Sequence, residues 1–135
     1  MNRIPKEDVD IIQAHKEVER LVFDSYHRAK NERERIERVT CNRYSKNKMG
    51  DVVKTERGIY NYLIVDMKLV DSYWLIQDDD RFYTVECRLV RVSKKGTIIG
   101  NGTKTSKLDA LLSTIDIPLR GKAKGWQDKL RKEYE

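Results

Sequence analysis

The chain of 135 residues has no apolar run approaching the roughly 18 residues that suggest a membrane span, and only two cysteines, two histidines and two prolines. Each shortage excludes something. MNRIPKEDVD is acidic where a secretory signal peptide would carry its apolar segment, so a cytoplasmic protein with no membrane partner is expected. Cys41, in a charged segment, and Cys87, in an apparent strand, make neither a metal-ligand spacing nor a disulfide framework. Both are expected as reduced thiols. His15 and His27 stand apart from any cysteine or acidic triad and read as helix-surface residues. The glycine-rich stretch 96–104 lacks the Gly-Lys-[Ser/Thr] ending of a phosphate-binding loop, because Thr103 intervenes between Gly102 and Lys104. No cofactor motif emerges, and a non-enzymatic protein is expected.

Charge is what the chain has in abundance: 37% of residues are charged and the net charge is +6. The charges are segregated. Residues 1–27 carry −2, 28–48 carry +5, 49–80 carry −4, 81–107 carry +6 and 108–135 carry +1. Such alternation is not what a uniform solubilising surface requires, and it marks two cationic segments suited to an acidic polymer.

Hydrophobic periodicity places those segments. From Pro5 onward the sequence predicts one long amphipathic helix to about Val39, with Glu7, Asp8 and Asp10 in the first turn favoured by the helix dipole. Ile11, Ala14, Val18, Leu21, Val22, Ser25, Ala29, Ile36 and Val39 project on one side, the expected buried stripe. After a connector between Gly50 and Gly58 the period changes to two. Residues 59–70 read as a half-buried strand with Ile59, Leu63, Val65, Met67 and Leu69 inward and Tyr60, Tyr62, Asp66 and Lys68 outward. Residues 72–77 read as a second strand, Asp78–Asp80 as a turn, 81–92 as a third strand and 97–100 as a short fourth. The Ser106…Asp109 spacing then predicts a capping box and a short helix over 107–115. Residues 121–135 read as a basic tail that forms a last helical turn or stays mobile. The fold class is α+β: a long N-terminal amphipathic helix, an antiparallel meander of three to four strands and a short C-terminal helix, within one domain over 1–120.

Two sets of candidate phosphate contacts follow. One comprises Arg28, Lys30, Arg33, Arg35, Arg38, Arg43, Lys46 and Lys48, at the end of the long helix and in the loop after it. Glu34 and Arg38 are spaced to pair on the helix, leaving most of the others unpaired. The second comprises Arg88, Arg91, Lys94, Lys95, Lys104 and Lys107, a cationic ledge whose last members would stand at the N-terminus of the short helix. Among the aromatics Tyr60, Tyr62, Tyr73, Trp74, Phe82 and Tyr83, most are expected in the core, and any exposed ring would offer a base a stacking surface. Asp66, Asp78, Asp79, Asp80 and Glu86 are the carboxylates from which a Mg²⁺ site for nuclease chemistry would be built, although three consecutive aspartates suit a solvated turn.

Phe82-Tyr83-Thr84-Val85-Glu86, Gly100-x-Gly102 and Ser106-Lys107-x-x-Ala110 resemble the second half of a double-stranded-RNA-binding domain over about 35 residues. That resemblance implies a strand pair leading through a glycine turn to a lysine-marked helix. The same strand resembles the central hairpin of phage-type single-strand annealing proteins, without their long following helix. Gly58-Ile59-Tyr60 resembles the opening of a GIY-type nuclease, whose Tyr-Ile-Gly partner motif is missing here. The leading expectation is a small nucleic-acid-binding protein contacting phosphates of DNA or RNA through both basic segments. The alternatives are an adaptor or inhibitor docking on a protein of nucleic-acid metabolism, as phage accessory proteins do, and a metal-dependent nuclease. The apolar stripe of the long helix would equally serve a homodimer.

Overall fold

The computed structural model describes residues 4–22, 26–55, 58–72, 82–107 and 113–134. Helices α1 (Lys6–Leu21) and α2 (Tyr26–Tyr44) come first, followed by strands β1 (Val52–Lys54), β2 (Asn61–Ser72), β3 (Phe82–Val92), β4 (Ile98–Lys107) and β5 (Ser113–Thr114), and last helix α3 (Gly121–Tyr134). The fold is mixed α+β, with the helical N-terminus and antiparallel meander that the periodicity predicts. Among the described residues no helix is long and apolar enough to cross a membrane.

The expected single helix is a pair. Arg33 reaches Glu19 at 2.9 Å, and Tyr44 lies against Asp8. In one straight helix, residues 14 apart would stand about 21 Å from each other, so these contacts require the chain to fold back into an antiparallel hairpin. Folding back changes which side of α1 is buried. Val9 and Ile12 face the core, whereas Ile11, Ala14, Val18 and Leu21 of the expected inward stripe are exposed. Glu19 is tolerated on the inward flank because Arg33 satisfies it. Helix α2 runs five residues beyond Val39, and its C-terminal carbonyls are met by Ser45 Oγ, donating to Cys41 O at 2.6 Å, and by Lys48 Nζ, donating to Asn42 O at 2.7 Å.

The sheet order is β4-β3-β2-β1-β5, all neighbours antiparallel, with the two-residue β5 at one edge. Val65 is an extra residue between the pairs Ile64↔Leu89 and Asp66↔Arg88. This bulge inverts the alternation along β2. Tyr62 and Ile64 before it and Met67 and Leu69 after it therefore share one side, packing with Val85, Cys87, Leu89, Val9, Ile12 and Cys41. Leu63 points to the other side and packs with Val52, Val92, Leu119 and Ala123, with Val65 and Trp126 against them. The strict alternation expected for 59–70 thus holds only in its second half, and Tyr62 is inward.

Two further expectations fail. β1 lies inside the stretch read as a connector. Lys107 closes β4 and Ser113–Thr114 form β5, so neither end of the predicted 107–115 helix is helical. The intervening 108–112, the predicted strand over 73–77 and the Asp78–Asp80 turn lie outside the described residues. At the C-terminus, 121–134 form a full helix whose Ala123, Gln127 and Tyr134 are buried. It is fastened by Gln127 Nε2 donating to Gly50 O at 2.9 Å and Asn42 Nδ2 donating to Tyr134 O at 2.8 Å.

Candidate nucleic-acid interface

Seen residue by residue, the first basic segment divides into cations that hold the fold together and cations that face solvent. Arg33 bridges Glu19 and Glu37, each at 2.9 Å, and these hydrogen bonds raise its guanidinium pKa against the opposing effect of burial, the Glu19 bond contributing most. Burial by itself would lower Arg38; the Asp66 carboxylate, which accepts from its Nε at 2.7 Å, raises it instead. Glu34 adds a longer helical pair to Arg38 at 3.6 Å, the spacing the sequence anticipates. Lys48 is spent on the end of α2. Arg28, Arg35, Arg43 and Lys46 are exposed and carry no ion pair among the described residues.

A groove of about 700 Å³ runs between the end of α2, the turn at 48–51 and α3, with Arg43, Lys48 and Arg131 among its lining residues. Its charges are partly neutralised from within. Asp51 pairs with Arg131 at 3.5 Å and accepts from Lys48 N at 2.8 Å.

The second segment has a different character, because six cations and no carboxylate lie between Arg88 and Lys107. β3 and β4 order them. Arg88 is exposed opposite Cys87 but stands beside Asp66 and Glu86, away from the others. Arg91 occupies the inward-facing alternation beyond Leu89 and is half-buried. Its guanidinium carbon lies 3.6 Å from the centre of the Tyr60 ring, and Lys104 Nζ lies 5.5 Å from that of Tyr62. Tyr62 pairs across β2–β3 with Arg91, and Leu89 pairs across β3–β4 with Lys104. Aromatic and cationic side chains thereby interleave diagonally over three strands, Tyr60, Arg91, Tyr62, Lys104.

Local backbone geometry shapes the rim of this ledge. Lys94 and Lys95 are exposed at the tip of a turn closed by Ser93 N donating to Thr97 O at 2.7 Å and by the Ser93–Thr97 hydroxyl pair at 2.8 Å. Gly96 makes the turn feasible. Its φ is +86°, and a Cβ there would fall 2.1 Å from Pro118 O. Past the turn, Val92↔Ile98 and Val90↔Thr103 are paired, so Ile99, Gly100, Asn101 and Gly102 bulge opposite Arg91 alone. The glycine-rich stretch is therefore a strand bulge at the ledge, not the approach to a helix N-terminus. Ile59, Tyr60 and Ile99 are exposed around it. Lys107 ends β4 opposite Glu86, and its side chain lies outside the described residues.

The two segments lie on different strands of the sheet, α2 along the central β2 and Lys104 on the edge strand β4. The first basic segment, α2 and the loop after it, runs antiparallel to β2, from Glu37 beside Leu69 to Gly50 beside Ile64. Only its last cations, Arg43, Lys46 and Lys48, lie toward the end of the sheet that bears the ledge. The Arg91–Tyr60 and Lys104–Tyr62 pairings were missed by sequence reasoning, since they depend on the Val65 bulge and the four-residue bulge in β4. Of the carboxylates weighed for a metal site, Asp66 holds Arg38 and Glu86 holds Lys68 at 3.3 Å. Asp78–Asp80 lie outside the described residues.

Compared with known family models, curated proteins and solved structures, the chain matches none.

Proposed function

We propose that the protein binds nucleic acid through the ledge formed by Arg91, Lys94, Lys95 and Lys104, engaging phosphates without catalysing a reaction on them. The observation that carries this reading is the interleaving of Arg91 and Lys104 with Tyr60 and Tyr62 in a stretch that has no carboxylate. A flexible cation must be ordered before it can hold a phosphate, at a cost of about 0.5–1.5 kcal/mol per long side chain. Stacking on a tyrosine orders Arg91 in advance while leaving its hydrogen-bonding edge available. Lys94 and Lys95 extend the positive surface beyond the sheet, and exposed Ile59 and Tyr60 supply apolar contact for a base.

Helix α2 has a smaller part in this reading than its sequence suggests. Arg33 and Arg38 are committed to tertiary ion pairs, and separating them would cost stability before any phosphate was gained. The test is a fluorescence-anisotropy titration with single- and double-stranded DNA and RNA at low salt. Charge reversal at Lys94, Lys95 and Lys104 is expected to weaken binding far more than reversal at Lys6 and Lys16. Absence of micromolar binding to all four polymers would overturn the proposal.

A further inference from the structure

The outward face of the helix hairpin carries a pattern that the nucleic-acid reading does not use. Ile11, Ala14, Val18 and Leu21 recur at intervals of three and four along α1, and Ile11, Val18 and Leu21 are 51%, 51% and 66% exposed. They form one line on the side opposite buried Val9 and Ile12. Exposed large apolar residues at this spacing suit the seam of a helix-to-helix interface.

Charge identifies the occupant. On the flank of α1 away from α2, Asp10 and Glu17 stand exposed between Lys6 and Arg20, Glu17 also pairing with Arg20, while exposed Glu7 continues the apolar line itself four residues before Ile11. On the opposite flank, across a shallow hollow lined by Ile11, Ile36 and Val39, stand exposed Arg35 and Arg43 of α2. Because Glu19 lies beside Arg33 and Asp8 beside Tyr44, the antiparallel register sets Glu17 nearly level with Arg35, and Asp10 nearly level with Arg43. A surface with Asp10 and Glu17 on one margin and Arg43 and Arg35 at matching heights on the other complements itself at those two levels. A two-fold axis parallel to the helices lays the α1 margin of one copy on the α2 margin of the next, Asp10 toward Arg43 and Glu17 toward Arg35, with the apolar lines meeting between them. An axis perpendicular to the helices would set acid against acid.

We propose that α1 is the seam of a parallel, two-fold homodimer, with its charge pairs supplied across the interface by α2. This inference is independent of nucleic-acid binding, and its test needs no nucleic acid. Sedimentation equilibrium of the full chain at micromolar concentrations should return twice the 16.0 kDa chain mass. Val18→Asp with Leu21→Asp should raise the dissociation constant by about thirtyfold or more while leaving the far-ultraviolet circular dichroism unchanged. Asp10→Arg and Arg43→Glu should each weaken the dimer by about threefold, and the double reversal should restore it. A monomeric mass at every concentration, a dimer indifferent to Val18→Asp with Leu21→Asp, or a double reversal no tighter than the single ones would overturn the assignment.

Discussion

The Glu37 carboxylate on α2 accepts the backbone N–H of Leu69 on β2 at 2.9 Å with one oxygen, and the Arg33 guanidinium at 2.9 Å with the other. β1 pairs with β2 only from Asn61 to Leu63, so the remainder of that strand would otherwise present an open edge. Helix α2 covers it. Glu37 is 5% exposed, and its charge is tolerated because both oxygens are occupied.

Replacing Glu37 should therefore be costly. Glu37→Ala strands the Leu69 N–H and leaves Arg33 with Glu19 alone, for an expected loss of about 3 kcal/mol. Glu37→Gln retains an acceptor for Leu69 and is expected to cost about half as much. Urea unfolding of the two variants beside the unmodified chain measures both values.

The hairpin should loosen in acid. Its hydrogen bond to Arg33 holds the Glu19 carboxyl below its ordinary pKa, so the folded state binds a proton there less readily than the unfolded chain. The contribution is present above the unfolded carboxylate value, about 4.3, and is lost as pH falls through the lower folded value. Glu19→Gln should flatten the acid limb of a stability-against-pH curve, chiefly below about pH 4.

Cys41 and Cys87 are both fully buried and unbridged. Burial pushes the Cys87 thiol up to about 12 and the Cys41 thiol higher still, so thiolate is scarce in the folded state. Iodoacetamide at about pH 8.5 should leave both untouched in the native protein and modify both in urea. Because the unfolded thiols ionise first, stability should also decline as pH rises past their ordinary value.

At Gly96 a methyl group meets a backbone oxygen as well as an unfavourable φ. Gly96→Ala is expected to cost about 2 kcal/mol in thermal or urea unfolding and to disturb Lys94 and Lys95 through the turn they share.

How much of this was legible in the sequence depended on how local the cause was. The start of α1 at Pro5, the strand over 82–92 and the turn at 93–96 follow from residues within a few positions of each other, and all three are where the pattern puts them. The extent of β4 was not legible, because Gly100, Asn101 and Gly102 look like the end of the strand, yet beyond them Thr103–Lys107 pair with β3 again. Nor was the inward turn of Tyr62, which depends on one extra residue at Val65. Among the cations, Arg33, Arg38 and Lys48 looked like their neighbours. Only tertiary contacts separate them from Arg35 and Arg43, and Arg91 declares its partner only once Tyr60 is held at the start of the adjoining strand.

The most direct test of the ledge is the salt dependence of nucleic-acid binding, because every phosphate neutralised releases counterions. Replacing Arg91, Lys94, Lys95 and Lys104 together by alanine should reduce the slope of log K against log salt by roughly 0.7–0.9 for each cation removed. Lys16→Ala with Lys129→Ala, outside the ledge, should leave that slope unchanged. A ledge variant that binds with the unmodified slope and affinity would contradict the account.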